Sequence, residues 1–283
     1  MRWAGLAIQS FLGICLLAAL HCGAAVAADA ASGLDPAAEE SGAAGAGDTR
    51  EDISQRAYEY ARELLLAKDY PAAFRSMRDA AERGHAEAQT ALGDMYRAGE
   101  GVAADDTEAF RWYSKAAAQG DAAARVKLGL MYADGQGVAR DDAEAVKWFR
   151  LAAGSGDPAG QTYLGLMYLD GQGVAKNEAE AAIWLKKAAD EEEALAQLTL
   201  GIMYSSGRGV PQDDAEAARW YLGAAEQGNA LAQYHLGVCY AEGRGVDQNP
   251  KQALEWLSSA ARQGLSLAKD YLAAIGNRTV GRK

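Results

Sequence analysis

Proline is scarce in this chain, at 5 residues in 283, while alanine is abundant and β-branched residues are few. Strands and proline-rich extended segments are therefore disfavoured, and helix is favoured, since alanine is the best helix former and proline the worst. Positive charge is also in short supply: 28 Lys and Arg face 39 Asp and Glu, a formal net charge of -11. Nucleic-acid binding and adhesion to anionic lipid both need a basic surface, so neither is expected. Cysteine is limited to three residues, of which Cys15 and Cys22 lie near the N-terminus. Against these deficits stand 32 glycines, which in a helical protein belong between helices rather than inside them.

The first residues read as a targeting segment. Met1-Arg2-Trp3 gives a short positive start, Leu6 to Leu20 is apolar apart from Gln9 and Ser10, and Ala25-Val26-Ala27 supplies a small-residue cleavage site. The apolar run falls short of the roughly 20 residues that a spanning helix needs. A histidine, His21, precedes Cys22 where a lipid-anchored cysteine would need a small residue. The expected organisation is a signal peptide over 1–27 and a flexible Ala/Gly-rich linker over 28–50. Cleavage would send the protein to the periplasm or outside the cell, with no stable membrane insertion. It would leave Cys239 as the sole cysteine, so no internal disulfide forms and packing must supply the stability.

Internal repetition decides the fold. Leu-Gly recurs at Leu92-Gly93, Leu128-Gly129, Leu164-Gly165, Leu200-Gly201 and Leu236-Gly237, 36 residues apart at every step. The same step carries Tyr96, Tyr132, Tyr168, Tyr204 and Tyr240, and Trp112, Trp148, Trp184, Trp220 and Trp256. A Gly-x-Gly-Val turn starts at Gly99, Gly135, Gly171, Gly207 and Gly243. Ala88, Leu92 and Tyr96 share one helical face, and Ala109, Trp112 and Ala116 share another after the glycines. Gly99 suits a left-handed helix stop, and Asp105 with Glu108 has the spacing of a capping box. The second helix ends at Gly120, Gly156, Gly228 and Gly264, with Glu192 in place of glycine in the third copy. The mid-helix glycine of Leu-Gly is less favourable than alanine by about 1 kcal/mol, so a close helix approach must explain it. The tryptophan is the expected filler.

The expected fold is all-α: a right-handed α/α superhelical solenoid of antiparallel helix pairs. Five copies span 85–120, 121–156, 157–192, 193–228 and 229–264. A degenerate capping pair covers 51–84, in which Ser76 replaces the tryptophan, and a capping helix and tail cover 265–283.

These motifs resemble the Sel-one-like repeat family, relatives of the tetratricopeptide repeat. The resemblance runs from about Ala86 to Gly264, with degenerate flanks back to about Asp52. It implies a scaffold or adaptor, with members in membrane-associated degradation, bacterial envelope and exopolysaccharide regulation, and host contact. A cysteine-rich exported branch resembles penicillin-binding hydrolases. Its hallmark is a cysteine pair in each repeat, which this chain lacks.

Residues able to do chemistry are few. His85 and His235 are the histidines left after cleavage, and no serine or cysteine nucleophile, base and orienting acid form a set. The Gly-x-Gly turns lack the Gly-Lys-Ser/Thr and the strand of a phosphate loop. No cofactor or metal is expected. The run Asp190-Glu191-Glu192-Glu193 reads as a solvated helix end, a bend or a partner contact. Cys239 aligns with Met95, Met131, Met167 and Met203, so it reads as a core residue.

In a helix-pair solenoid the first helices line the concave face, where a peptide or helix can lie. The groove positions are Thr90, Asp94 and Arg97, then Val126, Leu130 and Ala133, Thr162, Leu166 and Leu169, Leu198, Ile202 and Ser205, and Tyr234, Val238 and Ala241. Leu130, Leu166, Ile202 and Val238 also fit repeat-core positions. Leu169, Leu198 and Tyr234 are the residues expected to reach a ligand, with Leu166 and Arg97 beside them. The expected function is an exported scaffold binding a protein segment in this groove. The alternative is an exported penicillin-binding, β-lactamase-like hydrolase, and a third reading is a regulator released by clipping of its linker.

Overall fold

The computed structural model describes residues 49–280, with side chains to 275. The expected signal peptide and all but the last two residues of the expected linker lie outside these residues. Among the described residues all regular structure is helical. The elements are α1 (Arg50–Leu66), α2 (Tyr70–Glu82), α3 (Ala86–Ala98), α4 (Asp106–Ala118), α5 (Ala122–Asp134), α6 (Asp142–Gly154) and α7 (Pro158–Asp170). They continue as α8 (Glu178–Asp190), α9 (Ala194–Ser206), α10 (Asp214–Glu226), α11 (Ala230–Glu242), α12 (Pro250–Arg262) and α13 (Ser266–Val280). Consecutive helices pack against each other along the chain, which makes the solenoid. No described helix is long and apolar enough to cross a membrane.

Helices α1 to α12 each start on a side chain that accepts from the first-turn amides. Asp121, Asp157, Glu193 and Asn229 cap first helices, while Asp69, Asp105, Asp141, Asn177, Asp213 and Asn249 cap second helices. The Asp105/Glu108 spacing gives only the forward half of a capping box. Glu108 reaches Arg111 instead, Glu144 reaches Lys147, and Glu180 accepts from Trp184 Nε1. The reciprocal box occurs at Thr49 and Asp52, where the sequence had suggested the linker. The first described helix therefore starts from a cap that falls within the expected linker span.

The turn between paired helices has a fixed hydrogen-bond scheme. Gly99 (φ 71°) donates to Met95 O, Glu100 N donates to Met95 O at 3.0 Å, and Asp105 N donates to Tyr96 O at 3.0 Å. The glycine two residues on has a second reason. A Cβ on Gly137 would lie 2.3 Å from Asp106 O, at the start of the previous copy's second helix, and its φ is 66°. The turn is thus wedged onto the neighbouring copy.

The mid-helix glycine is a seat, and here the tryptophan expectation is corrected. A Cβ on Gly93 would lie 2.4 Å from the Tyr113 ring, and one on Gly129 would lie 2.4 Å from Phe149. Leu185, Tyr221 and Leu257 fill the same seat at Gly165, Gly201 and Gly237. The filler is the residue after the tryptophan. The tryptophan reaches the previous copy instead: Trp148 packs against the cluster that holds Ala109 and Tyr113, and Trp220 belongs to the cluster of Ala182 and Leu185. One residue joins a pair internally and its neighbour joins one copy to the last.

Candidate binding face

The first helices of successive copies lie side by side. Thr90 Oγ1 donates to Asp121 Oδ1 at 3.2 Å, Lys127 Nζ pairs with Asp94 at 2.8 Å, and Arg97 Nη2 donates to Gln136 Oε1 at 3.0 Å. Tyr113 OH, from the second helix behind them, donates to Asp94 at 2.6 Å. Burial and then the Asp94 carboxylate push the Tyr113 hydroxyl far above the usual phenol range, so it stays a donor. At the other end Tyr234 meets Tyr271 edge-on at 6.2 Å, and Tyr271 OH donates to Glu242 at 3.2 Å.

The structure divides the expected groove residues. Leu198 is 2% exposed and packs with Tyr221 and Leu236, Leu169 is 8% exposed against Leu200 and Met203, and Leu166 is buried as well. These three do not offer an open surface, because each is enclosed when the next copy stacks. Arg97 and Tyr234 remain half-buried on the face. Burial pushes the Tyr234 hydroxyl up, with Glu242 adding to it. The column assigned to the core, Leu130, Ile202 and Val238, is only half-buried, so it lies nearer the solvent than Leu169 and Leu198 do. Thr162 returns its hydroxyl to the carbonyl of Pro158, a sign of burial that composition alone does not give.

The histidines have structural work. His85 Nδ1 accepts from Ala88 N at 3.2 Å as a helix cap, and its Nε2 meets Gln55 Oε1 at 2.8 Å. His235 stacks on Tyr221 at 5.0 Å. Burial pushes it down to about 4 with help from Arg244, so it is neutral near pH 7. Cys239 is 2% exposed in the core, and burial pushes its thiol up, away from the reactive thiolate. Among the described residues no group of three or more His, Cys, Asp and Glu is placed to hold a metal.

This arrangement is that of a repeat scaffold, defined by its stacked pairs and the face of their first helices. The Sel1 repeat model matches residues 86–121, 122–157, 158–192, 194–229 and 230–265, and the chain belongs to the Sel1 repeat family. It is similar to a solved protective antigen of uropathogenic Escherichia coli displaying an SLR fold, with 37% identity and a TM-score of 0.72. That match covers 83% of this chain but only 53% of the antigen, so the chain spans about half the antigen's length. A Sel1 repeat protein from Oxalobacter formigenes is 34% identical over 77% of this chain and 87% of its own, with a TM-score of 0.70. The immunity protein PA5088 from Pseudomonas aeruginosa shares the fold at 23% identity, over 77% of this chain and 82% of its own, with a TM-score of 0.53. No curated protein matches the chain. Sel1 repeat proteins generally mediate protein–protein interaction and are typically non-enzymatic.

Proposed function

We propose that this chain is an exported scaffold that holds a peptide or protein segment against the face of its first helices. The cell envelope, including exopolysaccharide regulation, is the setting this reading adopts, because the N-terminal segment has the pattern of an export signal. The observation that carries the binding site is the half-buried row Leu130, Ile202, Tyr234 and Val238, with Arg97 on the same face. Apolar side chains offered by the second, fourth and fifth copies suit a segment laid along the stack, with the cation fixing its orientation.

The test is capture from the native envelope fraction, followed by identification of the bound protein and a binding assay with the purified pair. Ile202→Glu and Tyr234→Glu are each expected to weaken that binding at least tenfold while circular dichroism stays helical. Unchanged binding by both would remove the face from consideration. Retention of residues 1–27 in protein recovered from the envelope would overturn the export step.

A further inference from the structure

In four of the five copies a side chain ties the first helix to the end of the preceding second helix. Gln89, Gln197 and Gln233 donate from Nε2 to the carbonyls of Ala81, Ala189 and Ala225 at 3.0, 3.2 and 3.1 Å. Arg125 does the same to Ala117 O at 3.4 Å and also reaches Leu151 O. The amide oxygens of the three glutamines accept from Gln119, Gln227 and Gln263 at 2.7, 3.0 and 2.9 Å. Gln227 Nε2 also donates to Glu192 O at 2.8 Å, and Gln263 Nε2 to Gly228 O at 3.1 Å. One amide nitrogen thus bridges two oxygens from different elements.

The third copy breaks this clasp. Gln161 is 7% exposed, and its Oε1 is buried with no hydrogen-bond partner. Thirty residues on, where three of the other copies have glutamine and the second has Ser155, stands Glu191. By the repeat register Glu191 stands where Gln227 bridges Glu192 O and Gln197 Oε1, so the counterparts within its reach are the Gly156 carbonyl and Gln161 Oε1. A carboxylate has no N–H to give, so Glu191 cannot close the clasp and Gln161 Oε1 is left without a donor. The surroundings add negative potential. The site lies at the C-terminal end of α8, within Asp190-Glu191-Glu192-Glu193. Asp190 is held by Lys186, and Glu193 caps α9, which leaves Glu191 and Glu192 exposed.

We propose that this joint binds a calcium-sized divalent cation through Gln161 Oε1, the Glu191 carboxylate and the Gly156 carbonyl, with water completing the shell. All three ligands are hard oxygens, and calcium accepts amide, carbonyl and carboxylate oxygens in irregular geometry at about 2.3–2.6 Å. Magnesium demands a tighter octahedron and keeps its water, so it fits this mixed set of oxygens less well. The ion takes the place of the amide nitrogen and clasps the third copy as glutamine clasps the first, fourth and fifth. This site is independent of the proposed binding face.

The experiment is thermal unfolding of the full chain, followed by circular dichroism in chelator and in calcium chloride at matched ionic strength. Ten millimolar calcium is expected to raise the midpoint by about 3–5 °C, and magnesium by less. Glu191→Gln, which copies the residue of three other copies, is expected to melt higher than the parent in chelator and to lose the calcium increment. Gln161→Leu is expected to lose the increment too, and Glu226→Gln, an exposed remote control, to keep it. No increment in the parent overturns the proposal. So does an equal increment in Glu191→Gln, or one that magnesium matches.

Discussion

His235 shows how one side chain links packing to pH. It stacks on Tyr221 with an interplanar angle of 13°, as Tyr163 stacks on Phe149 two copies earlier. Its pKa of about 4 in the fold lies below the roughly 6.5 of an unfolded histidine, so the folded chain binds fewer protons between those values. The sign follows: its contribution is complete above about pH 6.5 and is lost as pH falls towards about 4. At about 1.4 kcal/mol per unit, with partial exposure reducing it, the loss is about 1–3 kcal/mol. Asp134 and Asp170 have carboxyls raised by burial, and they act in the opposite direction as pH falls. A paired comparison removes them. His235→Tyr keeps a ring in the stack and removes the titration. The drop in urea-unfolding free energy between pH 7.5 and pH 4.5 is expected to shrink by about 1–3 kcal/mol in that variant. An unchanged drop would mean that the ring is already protonated, or equally exposed, in the fold.

At the scale of the helix, the stop of α8 is the point of strain. The other second helices end on glycines at φ 88° to 103°, whereas Glu192 holds φ 62° with a full side chain. A left-handed dihedral is about 1–2 kcal/mol worse for such a residue, and glycine gives back part of that through the freer unfolded chain. Glu192→Gly is expected to raise stability by about 0.5–1 kcal/mol, measured by urea unfolding in chelator so that no cation intervenes. Loss of stability would show that the Glu192 side chain holds the joint.

Helix positions, caps and turns were legible because each rests on local chemistry repeated five times. Gly99 needs a left-handed dihedral, and Asp105 meets first-turn amides whatever lies beyond. The Gly93 seat was legible as a close approach, but its occupant was not. Trp112 and Tyr113 are adjacent, about 100° apart round the helix, and periodicity does not say which of them faces the partner within the pair. Leu198 and Leu169 were misplaced for a related reason. Their burial depends on the following copy, and that distance is set by the wedge of Gly-x-Gly turns rather than by either helix. The gap at Gln161 needed coordinates, since an orphaned acceptor is visible only beside the residue that fails to donate.

For the whole molecule, one column shows what stacking does. Val146 is 3% exposed and Ala218 3%, because Trp184 and Trp256 of the following copies pack with them. Leu254 holds the same register position and is 58% exposed, with only α13 following it among the described residues. Equal sequence positions therefore have unequal energetic weight, set by whether a neighbour's tryptophan arrives. Val146→Asp places an unpaired carboxylate under Trp184 and is expected to lower stability by about 3 kcal/mol or more. Leu254→Asp meets water and is expected to change it by less than about 0.5 kcal/mol. Urea midpoints of the two variants, measured side by side, check the contrast. Each copy buries its neighbour's column, so stability passes along the stack through nearest neighbours only. Should Leu254→Asp prove as damaging as Val146→Asp, something beyond the described helices must cover that end.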